Sequence, residues 1–302
     1  MTDRWDDTER AALVALLRTR PAGLSWRELA REIEHRQSAL RLWEEHHPPG
    51  LFDEAAQASA LTEAQHDVVA WRELGFLTFM DDLYPPQLRE IHDFPPVLFH
   101  LGKLPAEEIG MAVVGSRQAS DLGLHIARSV AAGLADRGIT VVSGLAKGID
   151  AAAHTAALDA GGRTVAVIGT GITRHYPTEN RELQDRIAAE GLVISQFWPE
   201  SPPTKQSFPM RNAVMSGYGR ATIVVEAGEH SGARIQARQA VAHGRPVILT
   251  DLVVSYNKWP SELIDRPGVY VASSTAEVIE AAEHVASGPA QIDALLNAAA
   301  DG

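Results

Sequence analysis

From Met111 onward, short apolar runs alternate with longer amphipathic stretches. The runs at 111–114, 139–142, 164–168, 192–194, 222–225 and 246–249 are continuously apolar rather than alternating. Strands of that kind are buried on both faces, and the segments between them have helical spacing. The rhythm therefore predicts an α/β fold, a doubly wound and mostly parallel sheet with helices on both sides. Ligands bind such sheets in the crevice at the carboxyl ends of the strands. The loops that matter are then Gly115-Ser116-Arg117, Ser143 to Gly148, Gly169-Thr170-Gly171, Gln196 to Asn212, Glu226 to Gly232 and Thr250-Asp251.

The first part of the chain has a different period. Leu13, Leu16 and Leu17 share one helical face that stops by Gly23, and Ser25-x-x-Glu28 is a capping box ahead of Trp26, Leu29, Ala30 and Ile33. Thr62-x-x-Gln65 opens a third helix through Val68, Trp71 and Leu74 to Gly75, after an irregular stretch around Pro48-Pro49-Gly50. Two short helices around a glycine allow a helix-turn-helix, but no Lys/Arg cluster marks a recognition helix, which favours a packing or protein-docking bundle. Trp5, Trp26 and Trp43 read as core residues. From Gly75 to Pro105, proline turns alternate with short apolar runs, the pattern of an irregular strap with an edge strand. The chain thus divides into a helical N-terminal domain at 1–74, an α/β domain with its strap at 75–275, and a short acidic C-terminal helix or tail at 276–302.

Charge changes the picture in one respect. The net charge of −12 argues against a protein that coats duplex DNA. It is concentrated at the two ends, −7 over residues 1–104 and −5 over 276–302, which leaves 105–275 balanced. A neutral middle can focus positive potential in one cleft while the acidic ends repel nonspecific polyanions; the same charge also serves solubility. The chain has no cysteine, which removes thiolate catalysis and cysteine metal sites. The first residues do not resemble a signal peptide and no stretch has the length of a membrane span, so a cytoplasmic location is expected.

The glycine turns match no nucleotide-hydrolase or dinucleotide pattern. Gly115-Ser116-Arg117-Gln118 is not G-x-G-x-x-G, no G-x-x-x-x-G-K-[ST] occurs, and Ser143-Gly144-Leu145 is not a G-x-S-x-G elbow. What remains suits an anionic ligand: Arg117 as a fork for phosphate, Lys147 as a point charge, and helix starts near Ser120, Gly148 and Asn212. Glu226, at a strand end, either accepts hydrogen bonds from a ribose or base, or caps the next loop. Asp150 and His154 read as an N-cap and a packed histidine ahead of acid/base chemistry. Phe208 and Tyr176 adjoin prolines and read as loop packing ahead of base stacking. The pair His46-His47 lacks partners at metal-ligand spacing, so neither a metal nor a cofactor is expected.

Taken together, the ordered motifs Gly115-Ser116-Arg117, Ser143-Gly144-Leu145-Ala146-Lys147-Gly148-Ile149-Asp150, Ala153-His154, Gly162, Gly169-Thr170-Gly171, Tyr176-Pro177, Asn180, Phe208-Pro209-x-Arg211-Asn212, Val225-Glu226-Ala227 and Ser231-Gly232-Ala233 resemble the DNA-processing protein A (DprA/Smf) family. The resemblance implies an extended Rossmann fold and a positively lined pocket for single-stranded DNA. It also implies homodimerisation, delivery of the strand to a RecA-type recombinase in DNA uptake, natural transformation or recombination, and no catalytic activity. Carried over by position, Arg117 and Lys147 hold backbone phosphates, Arg211 and Asn212 stand at the pocket rim, and Asn180 lies close by. Gly115, Ser116, Ser143, Gly144, Gly169, Glu226, Ser231 and Gly232 complete the expected site.

Some positions depart from the family pattern. Ala213 stands where a second arginine is usual, Gln236 where threonine is usual, and Thr250-Asp251 where a Pro-Gly turn is usual; Asp265-Arg266-Pro267-Gly268 replaces small residues, and no winged helix follows Val285. A second reading is a nucleotide-ligand sensor or a nucleoside-processing relative with Glu226 as its acid, although the Pro-Gly-Gly-x-Gly-Thr-x-x-Glu run of such enzymes is missing. A third is an interaction scaffold with a vestigial pocket.

Overall fold

The computed structural model describes residues 5–48 and 54–300. After the N-terminal helices α1 (Asp7–Thr19), α2 (Trp26–Arg36), α3 (Ala39–His46) and α4 (Glu54–Ala70), the strap contributes β1 (Leu77–Thr78), α5 (Pro86–Arg89) and β2 (Val97–Gly102). The alternation then runs β3 (Gly110–Gly115), α6 (Asp121–Ala135), β4 (Thr140–Ser143), α7 (Ile149–Asp159), β5 (Thr164–Val167), α8 (Arg181–Glu190) and β6 (Leu192–Ser195). It continues through α9 (Ser207–Tyr218), β7 (Ala221–Glu226), α10 (Gly232–Ala242), β8 (Val247–Thr250), α11 (Asp251–Tyr256) and β9 (Val269–Ala272) to α12 (Thr275–Ala300). Every apolar run from Met111 onward became a strand, because each is flanked by a turn and then by residues that cover it. Among the described residues no helix is long and apolar enough to cross a membrane.

Among the described residues, nine strands form one sheet in the order β1-β2-β6-β5-β4-β3-β7-β8-β9. From β6 to β9 neighbours are parallel, while β2 joins β6 antiparallel, Phe99 opposite Ser195. The chain winds outward from β3 through β4, β5 and β6 on one side, then returns to lay β7 on the other flank of β3. That reversal is the switch point at which the loops after β3 and β7 part and leave a crevice.

Four details differ from the sequence-based expectations, the first being β9, which is not among the expected apolar runs and pairs parallel outside β8. The strap strand β2 is not the edge, since β1 pairs outside it at Leu77 and Leu98. The helix expected to open at Thr62 begins at Glu54, with the Thr62 hydroxyl donating to the Ala58 carbonyl inside it, so the Thr-x-x-Gln pattern is not a cap. Helix α3 was unforeseen; its Ser38 cap, accepting from the Arg41 amide, carried no glutamate three residues on to flag it. Of the irregular stretch around Pro48, residues 49 and 50 lie outside the described residues. The capping box at Ser25 and Glu28 does form.

The N-terminal helices pack on the sheet through aromatic residues. Trp71 stacks on Trp198 at 5.4 Å and meets Phe99 edge-on, Trp26 meets Trp198 edge-on, and the Arg18 guanidinium sits 5.2 and 5.4 Å from the Trp198 and Trp71 ring centres. Trp5 and Trp43 are buried, and the core beneath them runs unbroken into the sheet.

Candidate functional site

The crevice at the switch point holds a cavity of about 410 Å³. Its walls come from the loop after β3, the start of α7, the face of α9 and the first turn of α10, with Arg117, Asp150, Arg211, Asn212, Ser231 and Gln236 as the polar groups that define it.

The two glycine corners are interlocked. The Ser116 amide donates to Glu226 O (2.7 Å), and the Ser116 carbonyl accepts from the Ile149 amide (3.2 Å), so the first corner is tied both to β7 and to the start of α7. Gly148 is the N-cap of α7 at φ 78°, and a Cβ there would stand 2.3 Å from Ser116 O. Only glycine permits both that conformation and that approach. Asp150 is not the N-cap; its buried carboxylate turns back to accept from the Gly144 (3.1 Å) and Ala146 (3.3 Å) amides and so shapes the loop. Burial raises its pKa, against the opposing pull of Arg211 and those amides. His154, one turn on, is fully buried against Thr164 Oγ1 (2.7 Å), away from the cavity.

Arg211 is the centre of the site. It is only 5% exposed, donates from Nη1 to the Val167 carbonyl (3.1 Å), and its Nε has no hydrogen-bond partner among the described residues. Burial lowers its pKa and Arg117 adds to that, while Asp150 opposes both. Arg117 is exposed, makes no ion pair among the described residues, and lies with its guanidinium carbon 5.0 Å from the centre of the Phe208 ring. Tyr176 continues that surface 5.9 Å beyond Phe208, beside a second depression floored by Gly144, Lys147 and Gly169. Two arginines, an aromatic face and the start of α10 converge on one opening. That combination holds an anion with a planar apolar group attached.

The expected site residues separate into groups. Gly115, Ser116, Arg117, Arg211, Asn212, Ser231 and Gly232 line the main cavity, and Gly144, Lys147 and Gly169 line the depression beside it. Arg211 and Asn212 were expected at the rim, but both are buried, because α9 begins at Ser207 and carries them inward. For the same reason Asn212 is inside a helix and offers no helix start. Ser143, Asn180 and Glu226 line neither hollow: the Ser143 hydroxyl donates to Val113 O (2.6 Å), and Asn180 donates to Leu145 O (2.9 Å). Glu226 accepts from the Ser120 amide (3.1 Å) and hydroxyl (2.6 Å), so its carboxylate anchors the start of α6 rather than capping the loop that follows β7. Lys147 reaches the opening with its side chain half exposed, but pairs there with Glu179.

Some residues that line the cavity are not among the expected site residues, Asp150, Phe208 and Gln236 among them. From sequence Phe208 reads as loop packing, because its proline neighbour conceals its place on the first turn of α9. Gln236, a departure from the family pattern, is buried in the cavity wall; with its amide oriented to satisfy both neighbours, the nitrogen donates to Asn212 O (3.0 Å) and the oxygen accepts from the Ser216 amide (3.3 Å), bracing α10 against α9. The unusual glutamine itself was the available signal.

Residues 75–286 match the family described as DNA recombination-mediator protein A. Protein Smf of Synechocystis sp. is 45% identical over 177 residues, which cover 57% of this chain and 44% of that protein, so the match spans less than half of the relative. The X-ray structure of DNA processing protein A from Streptococcus pneumoniae superposes with a TM-score of 0.72 at 32% identity, over 91% of this chain and 95% of that one. A Helicobacter pylori DNA processing protein A, described with a unique single-stranded DNA binding mode, shares the fold at a TM-score of 0.60 and 24% identity, over 68% of this chain and 94% of that one.

Proposed function

The chain belongs to the DNA recombination-mediator protein A family, and on that premise we propose that it binds single-stranded DNA through the switch-point cavity. The observation that carries this reading is Arg117: an exposed guanidinium, unpaired among the described residues, beside the buried Arg211 and over the Phe208 ring. Phosphate oxygens satisfy the forks, and an unstacked base has an aromatic face to rest on, as single-strand sites require. A duplex offers no free base face, and the acidic ends of the chain disfavour it. Lys147, freed from Glu179, extends the track.

Delivery of the strand to a RecA-type recombinase, by a cytoplasmic homodimer with no chemistry of its own, completes the proposal and rests on family membership. Glu226 is held by Ser120 rather than offered to the cavity, which weighs against a nucleoside-cleaving role.

The test is fluorescence anisotropy with labelled oligo-dT, a matched duplex and a panel of free nucleotides across a salt series. Strand binding over duplex is expected. Arg117→Ala makes the log–log salt slope shallower by about 0.7, one single-strand phosphate contact. Absence of strand binding at low salt sinks the reading, and tight, selective binding of one free nucleotide replaces it with a sensor.

A further inference from the structure

Away from the cavity, where the strap meets the far end of α10, a second cluster has no role in the site. His92, Asp93 and His243 bring two imidazoles and a carboxylate together with donor atoms all within 4.8 Å of one another. His243, the C-cap residue of α10, is 1% exposed in its side chain, whereas His92 is exposed to solvent.

The Ser216 hydroxyl lies 3.1 Å from the Ala213 carbonyl and 2.7 Å from His243 Nδ1, which fixes the imidazole so that its Nε2 faces Asp93 Oδ1, 2.6 Å away. A hydrogen bond would account for those two groups, but the cluster has a third: the His92 ring stands edge-on, 5.0 Å from that of His243. One proton bridges two of these groups, whereas a metal ion takes all three.

We propose that His92, Asp93 and His243 form a binding site for a divalent late transition metal, with zinc as the reference ion. Two imidazoles and a carboxylate with one open position are a common zinc donor set. Tetrahedral zinc sets its donors about 3.3 Å apart, so the 2.6 Å contact widens and the exposed His92 swings in, each a movement on the order of 1 Å. The Ser216 hydroxyl fixes the ring of His243 from behind, as outer partners of metal-bound histidines do. The bound ion clasps the strap to α10, whose opposite end lines the cavity. Sequence spacing gave no hint of this, since His243 lies far along the chain from the adjacent pair His92-Asp93.

The test uses the full chain, free of any affinity tag, titrated calorimetrically with zinc chloride and with magnesium chloride as control, followed by thermal melts. One zinc per chain is expected, no magnesium, and a rise in melting temperature of roughly 4 °C at a hundredfold excess over Kd. His92→Ala leaves the metal-free melt unchanged, because the residue is exposed, and weakens zinc at least tenfold; Asp93→Asn weakens it similarly. The proposal falls if zinc does not saturate a site below about 100 µM. It falls equally if both variants bind as the native chain does, which would put the ion elsewhere.

Discussion

The Arg211 guanidinium occupies the space that a side chain on Gly144 would need: a Cβ there would stand 1.3 Å from Nη1 and 2.2 Å from Cζ. The glycine of the second corner is therefore what lets a buried cation lie flat over the loop backbone and reach the Val167 carbonyl. Gly144→Ala evicts the guanidinium, and the expected outcome is a loss of strand affinity of at least tenfold with a lower melting temperature. Gly228→Ala is the control, because a Cβ there meets nothing within 4 Å and the change is expected to be silent. Anisotropy and a thermal melt on both variants decide it.

Glu179 holds Lys147 in an exposed ion pair at the mouth of the smaller depression. The Lys147 contact depresses the Glu179 pKa, so the carboxylate stays charged and competes with any phosphate for the ammonium. Glu179→Gln removes the competitor. Strand affinity should rise about threefold to tenfold at low salt, and the salt slope should steepen by about 0.7. Unchanged affinity together with an unchanged slope would show that Lys147 does not touch the strand.

Phe208 lies between Arg117 and Tyr176, with an edge close enough to Gly169 that a Cβ there would sit 3.0 Å from Cδ1. Phe208→Leu keeps the apolar packing and loses the flat ring. If a base stacks on it, the loss is about 1–3 kcal/mol in binding at every salt concentration, with the salt slope unaltered. A change in slope alone would mean that the variant acted by releasing Arg117.

Much of this was legible in the sequence, for a physical reason. A strand buried on both faces must be apolar at every position, so the runs after Met111 identified their strands and the loops at their ends. Gly148 and Gly144 were legible as corner glycines because the conformation and close approach they permit are closed to other residues. What did not read through was tertiary. Nothing in Asn180 or Glu226 tells whether its side chain faces a crevice or ties one loop to another. Arg211 reads as a rim cation because its burial depends on where α9 starts, and Gln206, the residue at the N-cap, makes no side-chain cap to announce that start.

His154 makes the fold sensitive to acid. Its pKa is held down to about 3 from an ordinary 6.5, by burial first and then by the Arg211 charge, with the Ser143 backbone pulling the other way. In the unfolded chain the imidazole takes up its proton near pH 6.5, while in the folded chain it does not until near pH 3. Between those values the unfolded state binds more protons, so stability is complete above the upper limit and falls as pH is lowered, by about 1.4 kcal/mol per unit. His100, whose pKa burial also lowers, acts in the same direction. Asp150 acts against it, because a raised folded pKa contributes stability that is present below the unfolded value and lost as pH rises through the folded one. His154→Asn isolates the histidine: the amide nitrogen can replace Nδ1 at Thr164 Oγ1 and does not titrate. Melting temperatures from pH 7 down to 4.5 should drop steeply for the native chain and more gently for the variant. Parallel curves would mean that His154 is not the acid-sensitive group.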